Sequence, residues 1–334
     1  MTDHVTLAMG AGGKQTAELI EQIFKKNLAN DFFTADDAAV LPQPEGQIAM
    51  STDGFIVSPA FFPGGNVGKL SVCGTVNDLT CMGAKPLYLT CSFVIEEGYP
   101  LSSLEKIVSS MAGTAKNCGV SIVAGDTKVA GKGQVDGCFI TTAGVGEVMR
   151  GVQTSGAFAK PGDDVIVTGD VGRHGCAILL SRDNYGIEAD VTSDCAPLWK
   201  PLAKVFETAP EVHVVRDATR GGVGTVLYEI CRESSVGIRL LSDKVPVKSE
   251  VRGVCDMLGL EPLYLACEGR MVIIAPHKDS EMIIESLQHF DDTKDACVIG
   301  QVTDHESGHV IMQTPIGTET YLPEPGNELL PRIC

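Results

Sequence analysis

Apolar residues recur at helical spacing in Ala17, Ile20, Ile23, Phe24 and Leu28, which predicts a helix behind the loop Met9–Lys14. A strand is expected over Ile48 to Thr52, ending in an Asp53-Gly54 loop. A second helix is expected over Val67 to Met82, with Gly83 fitting its C-terminal cap. The apolar run Leu87 to Ile95 reads as a strand. Leu104, Ile107, Val108, Met111, Ala115 and Cys118 then mark one helical face, stopped by Gly119. Val120 to Ala124 is expected to be a buried strand ending at Gly125-Asp126, and Cys138 to Val148 another.

The turn-rich stretch Gly151 to Pro161 interrupts this pattern and suggests a domain boundary. Beyond it come a strand at Asp164 to Thr168 and helices near 174–183 and 196–208. A further helix runs from Gly221-Gly222 to Ser234, and strands near 270–275 and 309–314 flank a helix at 279–290. Both halves mix strands with helices, so the expectation is α+β (mixed α/β) in two domains, 1–153 and 154–322. Residues 323–334 hold Pro323, Pro325, Gly326 and Pro331, which exclude a helix and favour an extended, mobile tail.

The 334 residues suffice for two domains with cores of their own. A formal charge of -17 argues against nucleic acid or anionic membrane as a partner. It also means that a nucleotide would need local cations, backbone amides or divalent metal. No apolar run approaches the ~20 residues needed to span a bilayer, and Met1 to Gly10 lacks a signal-peptide pattern. The 12 cysteines form no C-x-x-C pair and mostly lie in apolar stretches, as small hydrophobes do in a reducing cytoplasm. Cys334 stands apart as the last residue of a polar tail.

Candidate chemistry begins with acids beside Gly, Asn, Ala or Thr: Asp36, Asp37, Asp53, Asp78 and Asp126. Singly, each reads as a turn cap. Together they suit a nucleotide with magnesium, which takes one or two carboxylates plus phosphate oxygens. Gly10-Ala11-Gly12-Gly13-Lys14 offers amides and a cation to phosphate, but is not a Walker A loop. Arg216-Asp217-Ala218-Thr219-Arg220-Gly221-Gly222 is either an anion-binding helix start or a plain capped one. His174 in Gly172-Arg173-His174-Gly175 and Glu268 in Cys267-Glu268-Gly269-Arg270 sit in glycine-bearing loops.

The order Asp-Asp-Ala-Ala-Val, Ser-Thr-Asp-Gly, Val-Asn-Asp-Leu, Gly-Asp-Thr-Lys, Asp-Ala-Thr-Arg-Gly-Gly resembles the aminoimidazole ribonucleotide synthetase superfamily. Phe61-Phe62-Pro63-Gly64-Gly65, then Gly68-Lys69-Leu70, and the Pro-Arg-Ile-Cys ending are similar to its HypE hydrogenase-maturation branch. The resemblance implies a homodimer with a β-barrel-like core of N-terminal domains, binding ATP near the domain and subunit junction. It implies Asp36, Asp37, Asp53, Asp78 and Asp126 as Mg2+ or nucleotide contacts, with Asn77, the Gly12-Gly13-Lys14 loop, Asp217 and Thr219 at the nucleotide. Lys128, Glu268 and His174 would be catalytic around the incoming Cys334. Two positions depart from the pattern: Arg173 stands where Asp is commoner before His-Gly, and Gly13 stands where selenophosphate synthetases carry Cys or selenocysteine.

That resemblance implies an ATP-dependent dehydration of a carbamoyl group on Cys334 to a thiocyanate, for the cyanide ligands of [NiFe]-hydrogenase. The carbamoyltransferase HypF would load the tail and a HypC–HypD iron scaffold would receive the product. The alternatives are a small-molecule kinase or ligase of the same superfamily, and a thiol carrier without catalysis.

Overall fold

A computed structural model describes residues 3–34, 36–182 and 185–324. Cys334 and the tail beyond Glu324 lie outside the described residues. The chain builds two sheets, of four and seven strands, with a small Phe61–Phe62/Gly65–Asn66 ribbon between helices.

The first sheet contains β1 (Ile48–Phe55), β2 (Ala84–Glu96), β3 (Ser121–Ala130) and β4 (Cys138–Val148), in the order β1-β4-β2-β3. The pairs are antiparallel except β2 with β3. Two helices cover one face. In α1 (Val67–Cys81) nearly every residue is buried, because it is packed between this sheet, α2 (Leu101–Cys118) and the second half of the chain. The Asn66 side chain caps α1 by accepting the Gly68 and Lys69 N–H groups at 2.9 and 3.2 Å. The face of α2 expected from its spacing is the one buried.

The second sheet contains β5 (Asp163–Val167), β6 (Val214–Asp217), β7 (Gly237–Leu241), β8 (Met271–Pro276), β9 (Cys297–Thr303), β10 (Val310–Gln313) and β11 (Glu319–Tyr321). Their order is β11-β10-β7-β9-β5-β8-β6, with β10 and β7 parallel and all other neighbours antiparallel. The helices of this half are α3 (Arg173–Ser181), α4 (Trp199–Thr208), α5 (Gly222–Ser234), α6 (Ser249–Leu258) and α7 (Ser280–Gln288). The mixed fold class expected from the sequence is what the chain adopts. Among the described residues, no helix is long and apolar enough to cross a membrane.

Two expected loops are strand interiors. Asp53-Gly54 continues β1 opposite Thr142 and Thr141. Gly125-Asp126 continues β3 opposite Cys91 and Ser92. In each case the neighbouring strand overrides the turn preference of the Asp-Gly or Gly-Asp pair, since the ladder supplies the backbone bonds. The sequence pattern does not announce β6, β7, β9 or β11, nor α6, whose buried face is only Val251, Val254 and Cys255.

Candidate active site

The halves meet around α1, and a cleft of about 440 Å³ opens where β1, α1 and the N-terminal ends of α3 and α5 converge. Strand register places its walls. Asp53 lies on β1 opposite Thr142 of β4. Asp217 ends β6 opposite Met271 of β8, and the ladder continues as Ala218 N–H donates to Arg270 O at 3.0 Å and Cys267 N–H to Ala218 O at 2.9 Å. That continuation brings Glu268 beside Asp217 and Thr219. Asp78 enters from α1 and His174 from α3.

The glycine pair that starts α5 is a steric requirement. Gly222 has φ 60°, and a Cβ there would stand 2.5 Å from the carbonyl oxygens of Leu263 and Leu265. The close approach brings Thr219 and Arg220 against the loop that carries Glu268.

Charge in the cleft is unbalanced. Burial pushes Asp53 and Asp217 above the usual carboxylate range. Burial pushes Asp78 up to about 6, with Asp217 and Asp53 adding to the rise and the Ser51 hydroxyl, 2.5 Å away, opposing it. Glu268 is driven well above the usual range, by burial first and by surrounding negative groups next. Arg216 is occupied by Glu229 and Glu233 at 2.6 and 3.3 Å. Arg220 makes no ion pair among the described residues and faces Asp53 and Asp78 electrostatically. It is therefore Arg220, not both arginines, that is available to an anion.

His174 is fully buried and neutral, its pKa pushed down to about 4 by burial. Its Nδ1 is 2.9 Å from Ser193 Oγ, while Nε2 has no hydrogen-bond partner. The Phe61-Phe62-Pro63-Gly64-Gly65 motif supports this arrangement. Phe62 meets the imidazole edge-on, ring centroids 5.3 Å apart, and Pro63 O accepts the Ser193 N–H at 2.8 Å. Arg173 is turned away onto Asp170 and Thr192 O, so the Asp-to-Arg departure leaves the imidazole in the cleft. Arg270 is buried against Asp170 and the carbonyls of Asp170, Gly269 and Asp292, a fully bonded pair outside the cleft wall.

The structure thus brings together Asp53, Asp78, His174, Asp217, Thr219 and Glu268. It gives Asn77 a task other than nucleotide contact. The Asn77 amide donates to Ala196 O at 3.1 Å and Glu268 O at 3.4 Å, and its oxygen accepts the Leu198 N–H at 2.8 Å. All three bonds cross from α1 to the second half. Asp126 and Lys128 pair with each other at 2.9 Å on β3, away from this cleft. Gly12, Gly13 and Lys14 precede an exposed helix start, where Lys14 faces Glu18. Asp36 and Asp37 lie on an exposed loop and do not line the cleft. Among the described residues no three His, Cys, Asp or Glu side chains form a ready metal site. Sequence reasoning missed Ser193 and Asp194, which carry no motif, and gave no role to Ser51 within its Ser-Thr-Asp-Gly motif.

Comparison with known proteins places this geometry. The model of the AIR synthase related protein N-terminal domain matches residues 35–148, and that of the C-terminal domain residues 160–313. "Carbamoyl dehydratase HypE" of Azotobacter vinelandii is 42% identical over 331 residues, covering 99% of this chain and 97% of that protein. The chain belongs to the HypE family. The crystal structure of hydrogenase maturation protein HypE in complex with ATP matches 98% of this chain and 99% of its own, with a TM-score of 0.94 and 41% identity. A HypE–HypF complex contains a chain matching 92% of this one and 99% of its own, at 45% identity and a TM-score of 0.82. HypE proteins thus share the fold of this chain over nearly its whole length.

Proposed function

We propose that this chain is an ATP-dependent carbamoyl dehydratase of hydrogenase maturation, converting the S-carbamoyl group on Cys334 to a thiocyanate. The observation that carries the reading is the cleft itself: a half-buried, high-pKa glutamate and a neutral histidine face acids and an arginine with no ion pair among the described residues, in a chain 42% identical to a carbamoyl dehydratase.

The chemistry balances as follows. The carbamoyl oxygen attacks the γ-phosphorus of ATP and ADP departs. The nitrogen gives up both its protons as the carbon–oxygen bond breaks, so the oxygen leaves in phosphate and a carbon–nitrogen triple bond remains. Glu268 is assigned as the base, since its carboxyl lines the cleft and burial gives it a higher proton affinity than an ordinary carboxylate. His174 presents its Nε2 edge to the reacting oxygen. Arg220, with Thr219 and the amides at the start of α5, holds phosphate oxygens.

Magnesium fits the residues present. Asp53 and Asp78 crowd each other and Asp217, a repulsion that a divalent cation relieves, and two carboxylates plus phosphate oxygens match its habit. When bound, the ion supplies neutralisation of charge on the transferring phosphoryl group.

Lys128 remains our candidate for orienting the substrate oxygen, and Asp36, Asp37, Asp126 and the Gly12-Gly13-Lys14 loop our candidates for further nucleotide or metal contacts. None reaches the cleft of its own chain, so a homodimer is assigned to bring them to a partner's cleft. Ile48 and Met50, 60% and 73% exposed on β1, leave an apolar sheet surface for it. Sedimentation of the full chain tests this. The division 1–153, 154–322, 323–334 gives the tail as the substrate arm, loaded by HypF and emptied to a HypC–HypD scaffold, in the cytoplasm.

The deciding experiment is intact-mass analysis of the HypF-carbamoylated chain with and without magnesium ATP. Loss of one water from the C-terminal peptide, dependent on ATP, is expected. An unchanged tail beside continued turnover of a free metabolite rejects the reading.

A further inference from the structure

The loop before α4 grips the cleft at several points. Ser193 Oγ meets His174, Asp194 meets the Glu268 loop, and Ala196 O accepts from Asn77. The Asp194 contacts are the most pointed. Its carboxylate is 4% exposed, and one oxygen, Oδ2, accepts both the Glu268 N–H at 3.1 Å and the Gly269 N–H at 3.0 Å. The other oxygen, Oδ1, is buried with no partner. On the far side of the same residue, Glu268 O accepts from Asn77 at 3.4 Å.

Glu268 is therefore held by its backbone from both sides, by a carboxylate on the N–H side and an amide on the carbonyl side. The fit has no slack: a Cβ on Gly269 would stand 2.0 Å from Asp194 O. Arg270, the nearest cation in sequence, has its guanidinium committed to Asp170 and to backbone carbonyls. A buried carboxylate with one bare oxygen is a costly way to fill space. Its bonded oxygen points to a task, which is fixing the two amides that set where the Glu268 side chain goes.

We infer that Asp194 is a positioning residue for Glu268, clamping the Glu268–Gly269 amides so that the Glu268 carboxyl enters the cleft in one orientation. The inference rests on the reading of Glu268 as the base. Asp194 is not among the residues that line the cleft, and the role inferred for it runs through the glutamate.

The test is single-turnover dehydration of the full, carbamoylated chain with magnesium ATP, for Asp194→Ala, Asp194→Asn, Glu268→Gln and the Asp194→Ala/Glu268→Gln double variant. Asp194→Ala is expected to slow the chemical step by about 10- to 100-fold while the ATP half-saturation moves by less than about twofold. Asp194→Asn keeps an acceptor oxygen of the same reach and is expected to recover the rate to within about fivefold. The double variant is expected to be no slower than Glu268→Gln alone, because a clamp has no effect once the clamped group is gone. Additive losses in the double variant, or a half-saturation that rises in step with the rate loss, overturn the inference. A Glu268→Gln variant at the wild-type rate instead overturns the assignment of the base, a different result from additivity. Melting curves check folding, and if the alanine variant does not fold, Asp194→Ser takes its place in the cycle.

Discussion

Ser193 Oγ and His174 Nδ1 share a hydrogen bond across 2.9 Å. The same hydroxyl oxygen accepts the Cys195 N–H at 3.0 Å, and with two lone pairs and one hydrogen it bonds either tautomer of the neutral ring. The other ring nitrogen, Nε2, is buried and has no hydrogen-bond partner among the described residues. His174 is thus a neutral ring tied at one nitrogen only.

This has a consequence for stability. Burial pushes the His174 pKa down to about 4, below its value near 6.5 in an unfolded chain. Between these values the unfolded state binds a proton that the folded state does not, so stability falls as pH drops from 6.5 towards 4 and is complete above 6.5. His174→Gln, which keeps a donor but does not titrate, should remove about 2 kcal/mol of this loss at pH 5. Urea denaturation of both proteins at pH 5 and pH 7.5 measures it. Equal acid sensitivity in the variant counts against a buried, neutral ring.

Asp78 makes a second expectation, with two signs. Its carboxylate is crowded by Asp53 and Asp217, so without nucleotide Asp78→Asn should be slightly more stable than wild type, by about 1 kcal/mol after solvent screening. With magnesium ATP the order reverses, since the wild type gains stability by binding and the variant gains little. Melting curves with and without magnesium, ATP and chelator resolve the crossing, and turnover should fall by about 100-fold or more.

Much of this was readable in the chain, and the failures have physical causes. Register explains both. Helices such as α2 and α5 show their buried faces in the spacing of Leu104, Ile107, Val108 and Met111, and in the glycines at 221 and 222, because helical contacts are local. The acids Asp53 and Asp78 were visible as motif members, and the cleft gathers them. Asn77 was not readable. Its neighbour Asp78 points into the cleft, while Asn77 turns about a hundred degrees around α1 towards Ala196 and Leu198, partners more than a hundred residues away. Asp194 had no signal at all, since its partners are two backbone amides at 268 and 269.

The root of the tail is strapped to the edge of the site. The Tyr228 hydroxyl donates to Leu322 O, the Tyr264 hydroxyl donates to Pro323 O, and Arg232 pairs with Glu324. Tyr228 and Arg232 lie on α5, whose start forms the cleft wall, and Tyr264 lies in the loop that leads to Glu268. The strap sets the point from which the last ten residues reach. Replacing both tyrosines by Phe should lower the effective concentration of the loaded Cys334 at the cleft and slow single-turnover dehydration by about three- to tenfold. ATP affinity, read from titration of a fluorescent analogue, should not change. A parallel loss of ATP affinity would mean that the tyrosines support the cleft and not the tail.

Asn77 offers the sharpest separation of architecture from chemistry. Its three bonds to Ala196, Glu268 and Leu198 join α1 to the second half, as does the Thr154 hydroxyl donating to Cys81 O at 2.6 Å, and Asn77 is 3% exposed. Asn77→Ala leaves Ala196 O and the Leu198 N–H without their Asn77 partner in a buried seam, while Glu268 O keeps the Ala196 N–H at 3.5 Å, at a cost of about 2–4 kcal/mol. Asn77→Asp keeps the acceptor for Leu198 N–H but turns a donor towards two carbonyls into a charge, and should be worse still. Because the lost bonds link the halves, hydrogen exchange should accelerate first at the backbone amides of 194–198 and 268–269, before the cores of either sheet respond. Uniform acceleration through both sheets would show instead that the halves unfold as one unit and that Asn77 is no more than one buried polar group among many.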